Sequence, residues 1–249
     1  MSIIKNIIKE IALLEGFFFH HNRKSKVIYY HDVGIAYTSM GTPFDTIQQH
    51  ISIIRSRGFE IVSNITQREN QIMIAFDDGW KGLYDNRDFF VREKIFPTVF
   101  IAVDLIGKDG YMNKEEIMEM HSLGFQFESH TWTHTGLHKH VGPSLEHETK
   151  GAKKQLESIL GFPFTSICYP QGMFSKEVYL KCAEAGYKLQ YTCVSGCYYD
   201  YIDDQLVCRN LVQYTSARHL KYILEGDSYV IRQHDKKLHF IGPWPFVKK

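Results

Sequence analysis

The sequence predicts an α/β protein built on a parallel sheet. From residue 26 onward, short apolar runs of strand length alternate with amphipathic stretches of helix length, and several of those stretches stop at a glycine. Such alternation lays parallel strands side by side with helices returning over them, in a sheet that is open or closed into a barrel. The run at residues 72–76, Ile-Met-Ile-Ala-Phe, is apolar at every position, as expected of a strand covered on both faces.

The elements follow in order. Ile3, Ile4, Ile7, Ile8, Ile11 and Leu14 recur at helical spacing, with Lys5, Asn6, Lys9 and Glu10 on the other face and Phe17, Phe18 and Phe19 behind them. The charges interrupt any signal-peptide core, and no small-residue cleavage site follows. Residues 1–25 are therefore expected to form an amphipathic helix and a short polar linker. The helix either packs on the domain or lies in a membrane interface through residues 2–19. Residues 26–249 are expected to form one α/β unit. Strands are expected at 27–31, 72–76, 98–103, 125–129, 165–169, 188–193, 206–208 and 228–233. Helices are expected at 44–57, 83–93, 113–123, 145–160 and 176–185, with Gly58, Gly124, Gly161 and Gly186 as stops.

A chain of 249 residues has the length of one α/β barrel, and 44% apolar residues suffice for its core. A formal net charge of +1 provides no field for nucleic acid, which is excluded as a partner. Five cysteines, an odd and sparse set, are not a disulfide framework and suit a reducing compartment. No apolar run approaches the ~20 residues of a membrane span. The expected location is cytoplasmic and membrane-peripheral, or extracellular if a leader was removed.

In parallel α/β folds, ligands bind beyond the C-terminal ends of the strands. The polar residues there are His31, Asp32, Asp77, Asp78, His130, the segment 169–172 and His234. Asp77 and Asp78 are adjacent carboxylates followed by Gly79, so one can bind a cation while the other stays free; the alternative is a simple Asp-Gly turn. His130 and His134, four apart, suit one face of a helical turn and a shared metal. Two imidazoles and a carboxylate with an open position fit zinc or a related divalent ion, which acidifies a bound water.

The stretches AFDDGW and SHTWTH resemble, in this order, the first two motifs of the polysaccharide deacetylases, carbohydrate esterase family four. YYHDVG near the start, LESILG before CYPQG, and the late RQHD extend the resemblance over roughly residues 26 to 235. It implies a distorted (β/α)7 barrel and hydrolysis of N-acetyl groups on amino sugars. By it, Asp77 is the base, and Asp78, His130 and His134 hold one divalent metal ion, zinc. Tyr169, Pro170 and Gly172 line the groove and offer a backbone N–H to the oxyanion, His31 orients a ligand or the sugar, and His234 protonates the leaving amine. The implied partner is an acetylated glycan or its glycolipid precursor.

There are departures. The third motif often has an arginine before its proline, paired with the catalytic aspartate; here Cys168 and Tyr169 stand there, and Arg209 would supply the charge from another strand. The YP-G form resembles the branch acting on poly-N-acetylglucosamine-like polymers. The tryptophan-bearing fourth motif is not recognisable, and the polar setting of His234 also suits a surface histidine. Trp80, Trp132 and Tyr169 are candidates for stacking on sugar rings or for core packing. Two alternative readings are the same chemistry on a non-sugar amide or acetyl ester, and a degenerate barrel that binds glycan without cleaving it.

Overall fold

The computed structural model describes residues 3–201 and 205–246. Its centre is a parallel sheet curled into a seven-station barrel. In spatial order the strands are Lys26–Tyr30, Gln71–Asp78, Thr98–Ile101, Gln126–Ser129, Ser166–Cys168, Leu189–Tyr191 and a last station made of Leu206–Val207 and Arg209–Leu211. The last station closes the ring in two steps. Leu206–Val207 pairs with Leu189–Tyr191, and after Cys208 the segment Arg209–Leu211 pairs with Lys26–Tyr30. A short strand, Glu60–Val62, shares an edge of Gln71–Asp78 with Thr98–Ile101. The expected α/β barrel is thus the fold found.

Alternation along each strand sorts side chains between two cores. Val27, Tyr29, Met73, Ala75, Phe100, Cys168, Tyr191 and Val207 fill the barrel interior. Ile28, Tyr30, Ile72, Ile74 and Phe76 face outward under the helices, where Ile47, Ile51 and Ile54 of Phe44–Ser56 cover them.

Two expectations need correction. Residues 228–233 are not a strand but the start of a helix, Tyr229–His239. Ser228 caps it by accepting the Ile231 amide at 3.2 Å, and buried Arg232 fastens it to Asp200 at 2.5 Å and to Asp227. Tyr229 and Val230 are exposed, so the β-branched run buries no sheet face. The helix expected at 83–93 is two short ones, Lys81–Asp85 and Arg87–Arg92, broken at Asn86.

The N-terminal helix Ile3–Phe19 rests on Ala217–Glu225 and Tyr229–His239. Ala12 and Leu13 are buried, whereas Ile7, Ile8, Ile11, Phe18 and Phe19 face solvent. Met1 and Ser2 and the side chains of residues 3–6, hence Ile3 and Ile4, lie outside the described part. The close approach depends on Gly16, where a Cβ would stand 2.6 Å from the Ser228 backbone nitrogen. No helix among the described residues is long and apolar enough to cross a membrane.

Asp32, just past the first barrel strand, ties that strand to the helix behind the aspartate pair. Its Oδ1 accepts the Val33 amide at 2.8 Å and the Leu83 amide at 3.0 Å. Gly82 makes room, since a Cβ there would lie 2.2 Å from the Val33 carbonyl oxygen. Burial pushes the Asp32 carboxyl up to about 7 from 3.8, against the pull of these amides. The folded state therefore holds a proton that the unfolded chain releases, so this group's contribution to stability falls as pH rises from about 4 to about 7 and is flat above. The melting temperature of the wild type, relative to Asp32→Asn, should drop over that interval. A constant difference from pH 4 to 8 would show that the carboxyl is not raised.

Candidate active site

The site is built on the strand Gln71–Asp78, buried along its whole length, whose last two residues are the carboxylates. Asp77 pairs with Arg209 in a two-toothed bridge, Nη1 to Oδ1 at 2.6 Å and Nη2 to Oδ2 at 2.9 Å. Arg209 is wholly buried, donates its Nε to the Thr192 carbonyl oxygen at 3.0 Å and lies 4.0 Å over the Tyr29 ring. The Cys168 thiol adds a long contact of 3.9 Å to Asp77. Burial alone would raise the Asp77 carboxyl, but the charge and donors of Arg209 hold it below the usual carboxylate range.

Asp78 turns the other way, with a left-handed φ of 73°. Its Oδ2 accepts the Trp80 indole N–H at 3.1 Å. Its Oδ1 is buried without a hydrogen bond and lies 2.9 Å from His134 Nε2 and 3.4 Å from His130 Nε2. His130 Nδ1 is 2.8 Å from the Cys168 carbonyl oxygen, which can only accept, so Nδ1 carries the proton. The ligand atoms that Asp78, His130 and His134 offer all lie within 4.8 Å of one another. A tetrahedral ion with bonds of about 2.1 Å sets its ligand atoms about 3.4 Å apart, close to the spacing here. Asp78, His130 and His134 therefore fit a divalent metal ion.

The histidines are not on a helical turn. His130 follows the strand Gln126–Ser129, and residues 130–136 form an irregular loop in which Thr131 (φ 72°) and His134 (φ 61°) are left-handed. Backbone strain of this kind persists where surroundings enforce it. Here the enforcing group is buried Glu148, which accepts the Trp132 amide at 3.1 Å, the Thr133 amide at 3.0 Å and the Thr133 hydroxyl at 2.8 Å. Glu148 sits in the π-helical turn His147–Gly151. Nothing local in the sequence marks it except a carboxylate inside an otherwise ordinary amphipathic helix.

The other site candidates fall differently. His31 follows the strand Lys26–Tyr30, beside Asp77, with Nδ1 2.5 Å from Gln213 Oε1, a partner 182 residues away that sequence reasoning missed. Tyr169, Pro170 and Gly172 are buried. The Tyr169 amide donates to Tyr191 at 3.1 Å and the Gly172 amide to Tyr169 at 3.0 Å, so neither is the expected oxyanion donor. The segment's remaining amide is that of Gln171, at φ 59°. The Tyr169 hydroxyl donates to Gln190, and its ring packs on Phe174, so it cannot stack on a sugar. Trp80 stacks on Tyr111 at 4.0 Å, and Trp132 leans on His147 at 4.1 Å. Arg209, sealed from solvent, holds Asp77 rather than substrate. His234 lies mid-helix, not at a strand end, with its side chain 72% exposed beside Asp235. The misread strand is the cause of that misplacement.

If Glu148 holds the histidine loop, Glu148→Ala should lower affinity for a divalent metal ion about 10- to 100-fold in calorimetric titration while the fold survives. Unchanged affinity would mean that the loop keeps its shape unaided.

The family model for polysaccharide deacetylases matches residues 64–190. A Bacillus subtilis (strain 168) protein described under the same family name, YxkH, is 24% identical over 184 residues, which cover 70% of this chain and 66% of that protein. This chain thus spans about two thirds of that relative's length. Among solved structures, a polysaccharide deacetylase from Bacillus cereus superposes with a TM-score of 0.70 at 22% identity, covering 82% of this chain and 69% of that one. IcaB from Ammonifex degensii superposes at 0.71 with 19% identity, covering 82% and 98%. The Streptococcus pyogenes deacetylase PplD, solved in complex with acetate, superposes at 0.70 with 19% identity, covering 81% and 98%.

Proposed function

The chain belongs to the polysaccharide deacetylase family, and we propose that it is a zinc-dependent enzyme that removes N-acetyl groups from amino sugars of a polysaccharide or its glycolipid precursor. One observation carries this reading: the adjacent carboxylates have separate partners, Asp77 an arginine and Asp78 two imidazoles. That is the division of labour a hydrolytic site requires. The acetate bound to the Streptococcus pyogenes deacetylase is the acid that this reaction would release.

Asp78, His130 and His134 would hold the ion, and when bound it supplies an acidified water and an electrophilic contact for the amide oxygen. Asp77 stays ionised because Arg209 neutralises it, and its carboxylate takes the proton from the attacking water. Arg209, donating through Nη1, Nη2 and Nε, keeps that carboxylate in one orientation. As the C–N bond breaks, the nitrogen must gain a proton. His31 would give it: it follows a barrel strand next to Asp77, and with Nδ1 engaged by Gln213 its Nε2 is the ring nitrogen that remains for the leaving amine. Acetate and a free amino sugar result.

Removing the metal with a chelator should abolish acetate release from N-acetylglucosamine oligomers, and zinc should restore it. Asp78→Asn should weaken zinc binding itself. Asp77→Asn should keep zinc and lose at least ~100-fold in kcat. Near-wild-type turnover by Asp77→Asn would place the base elsewhere.

His31→Ala should cut kcat on the N-acetyl amide about 100-fold or more and spare an activated acetate ester, whose leaving group needs no proton. Equal losses on both substrates would assign His31 to positioning, and no loss on either would remove it from the reaction.

A further inference from the structure

The N-terminal helix Ile3–Phe19 is docked through one side only. Ala12, Leu13 and Gly16 are buried against the helices Ala217–Glu225 and Tyr229–His239, and the Phe17 ring leans on Tyr222 at 4.9 Å. Ile7, Ile8, Ile11, Phe18 and Phe19, between 53% and 80% exposed, fall on the outward arc. At 3.6 residues per turn these five side chains share about one third of the helix circumference. Single exposed apolar residues are ordinary on a protein surface, but five large ones on one arc form a continuous patch. Near the C-terminal end of the helix, Ser228 Oγ donates to Glu15 Oε2 at 3.3 Å, which brings exposed Tyr229 and Val230 alongside.

The charges around this patch have one sign. Among the described residues of the three helices no acid is exposed, whereas Lys9, Arg218 and Lys237 are. Each acid is turned inward and held. Glu10 is met by Arg218 at 2.6 Å and by His219, and Glu15 by Ser228 and by His20 at 2.9 Å. Glu225 pairs with Arg57, Asp227 with Arg232, and Asp235 accepts the Ser195 amide at 3.0 Å. Lys221 adds a cation at the edge of the helix, 5.2 Å over the Phe17 ring. An apolar arc flanked by cations is the pattern of a helix lying in the headgroup layer of an anionic bilayer. A second copy of the chain fits worse. A two-fold contact through this face would bring two sets of cations together with no exposed acid on these helices to pair them.

We propose that the outer face of the N-terminal helix docks the folded domain on an anionic lipid bilayer, in the plane of its headgroups and without crossing it. The contact stands apart from the reaction proposed above, so its test reads binding alone. The full chain is sedimented with vesicles of phosphatidylcholine containing about 30% phosphatidylglycerol, and with vesicles of phosphatidylcholine only. Partitioning should be about tenfold or more stronger on the anionic vesicles and should fall as salt rises. Ile11→Ser with Phe18→Ser, both at exposed positions, should keep the melting temperature and lower partitioning about tenfold or more. Lys9→Glu with Lys237→Glu should remove most of the preference for anionic vesicles and spare the residual binding to phosphatidylcholine. The two pairs of substitutions act through different forces, so if one variant melts early the other and the wild type still decide. Sedimentation equal with and without vesicles, equal binding to both vesicle types, or partitioning unchanged in the folded variants would overturn the proposal. A dimer in analytical ultracentrifugation that Ile11→Ser with Phe18→Ser abolishes, without vesicle binding by the wild type, would overturn it in favour of a second copy.

Discussion

Two carboxylates next to each other at the end of a buried strand repel one another and lose their hydration, so each must find compensating charge or donors within the fold. Much of the site's construction follows from that constraint. Asp77 is met by Arg209 from the strand that closes the barrel, 132 residues away. Asp78 is turned aside by a left-handed backbone, takes the Trp80 indole on one oxygen and faces two imidazoles with the other. The pair is thereby split into one carboxylate held by an arginine and one that faces two imidazoles. Breaking a buried ion pair of the Asp77–Arg209 kind by removing one partner typically costs about 3–5 kcal/mol. The bridge thus couples barrel closure to the site's electrostatics.

The stepped closure has a second consequence. Because the last station pairs with one neighbour before Cys208 and with the other after it, Arg209 enters the barrel interior just where the strand changes partners. There it lies over Tyr29 and reaches Asp77.

The barrel was legible because its signals are local. Fully apolar strand runs such as residues 72–76 and glycine-stopped helices need no tertiary information. The candidate ligand group Asp78, His130 and His134 was legible as residue types at and after strand ends, but not in its setting. The i, i+4 spacing of His130 and His134 suggested a helix, whereas the geometry comes from an irregular loop pinned by Glu148. That carboxylate and Gln213 are brought in by packing, and no short-range pattern announces them. Residues 228–233 misled because Tyr-Val-Ile has strand propensity, while the Ser228 cap and the burial of Arg232 between Asp200 and Asp227 favour a helix. The error moved His234 to the barrel rim on paper; the packed helix leaves it in solvent.

The division of roles between Asp77 and Asp78 is tested most directly by locating the ion. Crystals of the full chain soaked in zinc, with anomalous data collected across the zinc edge, should show one strong peak about 2.0–2.2 Å from Asp78 Oδ1, His130 Nε2 and His134 Nε2. Asp77 should remain outside that sphere, still paired with Arg209. A peak bonded to Asp77 or to the Cys168 sulfur, or Arg209 displaced from Asp77 by the ion, would contradict this account.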